Sequence, residues 1–190
     1  MLQACSHATL AKVFDPEILL AKGYEARREN LVEEARDLFA QAVAESKWIP
    51  DLELRAKALE ALGQVERDLK HPDSALKHYR EAAELHRKHG QMQNLAHCIR
   101  HLADILREQK SLPESETAYS EALAIYRSQP ETTPLALANL LRGYALLRDA
   151  AGDEEQALLF WMEASHLYEA AGVAAGVAEC KSQIAFMTGR

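Results

Sequence analysis

The chain has 190 residues, 48% apolar and 27% charged, a balance that suits one soluble globular domain and excludes a disordered chain. Its net charge of −7 argues against a sequence-independent grip on nucleic acid and against an anionic membrane surface, since both need a basic face. Ala, Leu, Glu and Arg abound, Gly (8) and Pro (6) are few, and no long run alternates in the manner of a strand, so an all-α fold is expected.

Residues 1–15 form a separate N-terminal segment with no apolar run long enough for a signal peptide. The string Leu2-Gln3-Ala4-Cys5 has the look of a lipoprotein cleavage box but lacks a hydrophobic region before it. Nowhere does the chain reach the roughly 18 apolar residues of a membrane span. The cysteines, Cys5, Cys98 and Cys180, are odd in number and far apart, which yields no disulfide framework and no zinc knuckle. A reducing, cytoplasmic location is the expectation.

From Pro16 onward the chain repeats itself. Ala35-x3-Phe39-x2-Ala42, Ala75-x3-Tyr79-x2-Ala82, Ser115-x3-Tyr119-x2-Ala122 and Ala157-x3-Trp161-x2-Ala164 start 40, 40 and 42 residues apart. Twelve residues before each start lies a second small residue, Gly23, Gly63, Ala103 and Ala145, and a fifth copy of that column falls at Ala185. Small, aromatic, small at i, i+4, i+7 shares one helix face. The small residues let a neighbouring helix approach and the aromatic fills the space between layers. One helix pair cannot bury such a face alone, so the pairs must stack.

Punctuation agrees with the period. Turns are expected at Glu29-Asn30, Lys70-His71-Pro72, Lys110-Ser111-Leu112-Pro113 and Gly152-Asp153. Pro72 and Pro113 suit the first turn of a helix. Asp153 with Gln156, and Ser111 with Glu114, have the form of capping boxes. Residues 128–134 carry the two extra residues of the 42-residue spacing, and Thr133-Pro134 caps the next helix.

This pattern resembles the tetratricopeptide repeat family, which carries Leu-Gly and then Ala-x3-Phe-x2-Ala at these offsets. Leu62-Gly63 with Ala75, Tyr79 and Ala82 is the best copy, and the first departs, with Lys22 before Gly23. The resemblance covers nearly the whole chain, in a long variant of 40–42 residues where about 34 is usual. It implies a right-handed α-α superhelix: one solenoid domain over residues 16–190. Repeats are expected at residues 16–49, 50–90, 91–130 and 131–172, with a capping helix at 173–188. The column Glu25, Val65, Ile105, Leu147, Met187 is polar only in the first copy, and Leu19, Leu59, Ile99, Leu141, Lys181 only in the last. Both ends therefore have the character of caps.

No catalytic constellation emerges, so no enzyme and no cofactor is expected. His97 and His101 stand at i, i+4, a spacing able to chelate a metal, but no glutamate follows His97 in the metalloprotease pattern and no metal site is assigned. Phe39, Tyr79, Tyr119 and Trp161 are expected in the core. In the family the first helix of each repeat lines a concave surface. The matching positions here are Tyr24, Arg27, Gln64, Arg67, His97, Arg100, His101, Asp104, Arg107, Asn139, Arg142 and Leu146. Arg27, Arg67 and Arg107 form a ladder at 40-residue spacing, with Arg100 and Arg142 beside it. Guanidinium groups favour bidentate pairing with carboxylate or phosphate, so an acidic or phosphorylated protein segment is one expected partner. The other reading of the ladder is local: arginines in the last turn of a helix complement its dipole and pair with Asp68, Asp104 or Glu108. The Lys/Asn/Arg clamp of chaperone-tail-binding members is missing, since its columns hold Leu20, Tyr24, Ala61, His97 and His101. A scaffold or adaptor is therefore the leading expectation. A homo-oligomer joined through the C-terminal helix (Val173, Val177, Ile184, Phe186, Met187) is the alternative.

Overall fold

The computed structural model describes residues 15–189, so Cys5 and most of the N-terminal segment lie outside it. Among the described residues the chain forms nine helices and no strand. They are α1 (Pro16–Arg28), α2 (Val32–Ser46), α3 (Leu52–Asp68), α4 (Pro72–Lys88), α5 (Met92–Glu108), α6 (Leu112–Ser128), α7 (Pro134–Ala150), α8 (Glu154–Ala170) and α9 (Ala174–Thr188). Each packs on the next, and α1 also touches α3 as α5 touches α7. Odd helices thus form one layer of a solenoid and even helices the other.

The helix starts follow the sequence closely. Asp15, Asp51, Thr133 and Asp153 each accept a backbone N–H of the first turn at 2.9–3.2 Å. The Ser111 box is the exception: its side chain makes no cap bond. Six helices end with one residue at positive φ, namely Asn30, Lys70, Gly90, Lys110, Gly152 and Gly172. The residue after each donates to a carbonyl five positions back, as in Leu31 to Ala26 (2.8 Å) and Ser111 to Leu106 (2.9 Å). This closure satisfies carbonyls that the helix end would orphan and reverses the chain within two residues.

The layers meet through the repeated small and aromatic residues. Phe39, Tyr79, Tyr119 and Trp161 are buried to within 1% of full exclusion. A Cβ built at Gly23 would stand 2.4 Å from the Phe39 ring, and one at Gly63 3.1 Å from that of Tyr79, so the glycines are there to admit the rings. Leu19, Leu59, Ile99 and Leu141 are buried and Lys181 is exposed; Val65, Ile105 and Leu147 are buried and Glu25 is exposed. The core falls into two clusters, one over α1–α3 and a larger one from α3 to α9, with Val43 packed against both.

Candidate functional site

On the odd-helix face, polar side chains stand above this core and are tied to one another. Arg27 meets Asp68 at 2.9 Å, and Gln64 donates to the other Asp68 oxygen at 3.0 Å. One repeat later Arg67 pairs with Glu108 and lies 3.7 Å from Asp104. The first two rungs of the arginine ladder therefore reach carboxylates 41 residues on, across the repeat boundary. Both are in the last turns of their helices, where the dipole also favours them. The third rung has no equivalent reach: among the described residues its ion pair is with the adjacent Glu108 at 3.7 Å, and its Nε has no partner.

Asp104 is the organising group. It is buried, accepts from Arg100 at 2.9 Å, and accepts from the Tyr119 hydroxyl at 2.5 Å. Burial first, and then the Asp104 charge, push the Tyr119 hydroxyl far above its usual range, so it remains a donor. Gly143 of α7 makes this contact possible. A Cβ there would stand 2.5 Å from the Tyr119 oxygen and 2.7 Å from Asp104 Oδ1. Arg100 also donates to His101 Nε2 at 2.8 Å, which leaves the His101 proton on Nδ1. The His101 ring is buried and stacked on Tyr79 at 4.7 Å. Burial, with Arg100 and His97 beside it, drives its pKa far down. His97 sits edge-on to His101 at 4.6 Å and is exposed, in keeping with a crowded but open surface.

Beyond this centre the face continues in both directions. Tyr24 packs edge-on to Phe39 and remains 42% exposed. Arg142 makes a bidentate pair with Glu179 at 2.7 and 2.8 Å. Asn139 accepts from the Tyr168 hydroxyl at 2.8 Å, and Leu146 is half-buried. Depressions of about 510 and 730 Å³ lie beside the Arg67–Glu108 and Arg27–Asp68 pairs. Of the twelve residues expected on this surface, ten are exposed or partly exposed, whereas His101 and Asp104 are buried. The Tyr79 and Tyr119 hydroxyls, placed in the core by their spacing, reach up into the site: Tyr79 donates to Gln64 at 3.3 Å. In sequence, Tyr where the column elsewhere holds Phe or Trp was the available sign.

Comparison with known proteins fits this architecture. A tetratricopeptide repeat profile matches residues 93–170, and a second profile of the same repeat matches residues 55–89. A search of curated proteins returns no match. Among solved structures, BtubC (BKLC) from P. vanneervenii is 16% identical with a TM-score of 0.69, over 91% of this chain and 79% of that one. RapI in its apo form is 10% identical with a TM-score of 0.84, over 95% and 65%. A Rap protein complexed with competence and sporulation factor is 15% identical with a TM-score of 0.76, over 90% and 48%, so the chain spans about half of that protein. At such identities the likeness shows the fold. Among the described residues no helix is long and apolar enough to cross a membrane. Proteins built from this repeat are generally non-enzymatic scaffolds. With matched profiles over two stretches, four aromatic layers in register and a layered helical solenoid, the chain belongs to the tetratricopeptide repeat family.

Proposed function

We propose that the chain is a protein-binding scaffold that holds an acidic or phosphorylated segment along its odd-helix face, centred on α5 and α7. The observation that carries this reading is a local cluster of arginines in an acidic chain. Arg67, Arg100, Arg107 and Arg142 line this face beside Asp104, Glu108 and Glu179, and Arg107 keeps a buried Nε without a partner among the described residues. An incoming carboxylate or phosphate satisfies that donor with a charge-assisted bond. Tyr24, Arg27 and Gln64 extend the surface toward the N-terminus, and Asn139 and Leu146 toward the C-terminus. Arg27, Arg67, Arg100 and Arg142 are each already paired with a carboxylate, so an acidic ligand meets Arg107 first and competes with Glu179 for Arg142. A similar Rap structure holds a second molecule, and a repeat array that receives one is the arrangement we carry to this chain. Buried free Cys98 and Cys180 support a reducing, cytoplasmic setting.

A random peptide library panned on the folded protein tests this. The expected result is enrichment of Asp, Glu or phosphorylated residues, affinity that falls as salt rises, and loss of binding in Arg107→Gln/Arg142→Gln with unchanged circular dichroism. Enriched peptides without acidic residues, or binding indifferent to both substitutions, contradict it.

A second reading, self-association, rests on the exposed apolar residues near the C-terminal end: Phe186 (58%), Leu159 (53%) and Met162 (45%). Light scattering across a hundredfold concentration range decides it. A constant monomer mass removes this reading.

A further inference from the structure

Glu60, His86 and Cys98 come from three different helices, α3, α4 and α5, and their ligand atoms lie within 4.8 Å of one another. We propose that they form a zinc site that ties the second helix pair to the third, with its open position toward the odd-helix face.

Three observations support it. The first is ligand chemistry. One thiol, one imidazole and one carboxylate match the mixed S, N and O donor sets of Zn²⁺. Donor atoms on a tetrahedral zinc stand about 3.3–3.5 Å apart, so the Glu60–His86 contact, now 2.5 Å, opens and any wider separation within the 4.8 Å cluster closes. Glu60 can supply that movement, because its side chain is 23% exposed while that of His86 is fully buried.

The second is orientation. His86 Nδ1 donates to Gln91 Oε1 at 2.7 Å and Nε2 donates to Glu60 at 2.5 Å, so a metal at Nε2 takes the place of that proton while Nδ1 stays held. A metal-binding histidine is usually held in this way by a partner on its other nitrogen.

The third is charge. Thiolate and carboxylate together cancel a divalent cation, which gives a neutral complex in a buried place.

Cobalt titration of the full, reduced chain tests the site, with zinc as competitor. The expected result is one equivalent of Co²⁺ with a thiolate-to-metal charge-transfer band and tetrahedral d–d bands, both erased by zinc. A Cys5→Ser/Cys180→Ala chain keeps the band. Cys98→Ala loses it, and Ala58 in the equivalent column shows that alanine packs there. Glu60→Gln, at a half-open position, weakens binding at least tenfold, and Gln91→Leu weakens it about 10–100-fold. Absence of a charge-transfer band in the wild type overturns the proposal. So does a band that survives in Cys98→Ala, or an affinity unmoved by Glu60→Gln.

Discussion

The middle two repeats and the outer two use the same aromatic position differently. Phe39 and Trp161 fill space and have no group directed at the odd-helix face. Tyr79 and Tyr119 fill the same space and send hydroxyls to Gln64 and Asp104. Of the five buried polar residues among those described, His86, His101, Asp104 and Ser115 lie in the middle repeats and Ser46 in the first. A solenoid can therefore keep one packing scheme throughout and build its polar centre by adding single atoms to it. Partly buried networks of this kind are costly to break and position side chains firmly.

The largest effect should come from removing the hub. Asp104→Ala leaves Arg100 and Tyr119 without their shared acceptor, and breaking a buried pair from one side costs about 3–5 kcal/mol. Urea unfolding followed by circular dichroism measures it. A loss below about 1 kcal/mol would show that the centre is held by packing alone.

The tyrosine pair gives a finer contrast. Tyr119→Phe should cost about 1.5–3 kcal/mol, since its bond is to a buried carboxylate. Tyr79→Phe should cost about 0.5–1 kcal/mol, because its bond to Gln64 is long and between neutral groups. Equal losses at both sites would erase the distinction between hub and periphery.

Acid should act through His101. Arg100, His97 and Arg67 face it and Tyr79 covers its ring, so it stays neutral when folded. Unfolded, it takes up a proton near pH 6.5. Its contribution is thus complete above about pH 6.5 and shrinks by about 1.4 kcal/mol for each pH unit below it. Denaturation at pH 7.5 and pH 5.5 should show a steeper acid loss in the wild type than in His101→Asn.

The smallest effect belongs to the edge of the face. Arg27 and Asp68 are each about 40% exposed on their side chains, so solvent screens the pair. A double-mutant cycle with Ala should return about 0.2–1 kcal/mol.

Most of the fold was legible because it rests on local rules repeated four times. The small–aromatic–small spacing, the Asp and Thr caps and the αL turns depend on neighbours in sequence, and the helices begin and end where those signals stand. The Ser111 cap is a local signal that the structure does not use, although Asp153 caps its helix from nearly the same backbone geometry. The candidate site was legible by column only. Spacing puts Arg27, Arg67 and Arg107 on one face. Whether each is already paired depends on a carboxylate some 40 residues away, and Arg107 differs from the other two for that reason. The Glu60–His86–Cys98 cluster gave no signal, since its members are 26 and 12 residues apart on separate helices and meet only when two helix pairs stack.

The most direct test of the polar centre is to titrate an acidic peptide from the panned pool into isotope-labelled protein and follow the amide shifts. The account predicts saturable shifts concentrated on α5 and α7 around Arg100, Arg107 and Arg142, and their disappearance in Arg107→Gln/Arg142→Gln. Shifts confined to α1–α2 or to the even helices, with these arginines undisturbed, would contradict it.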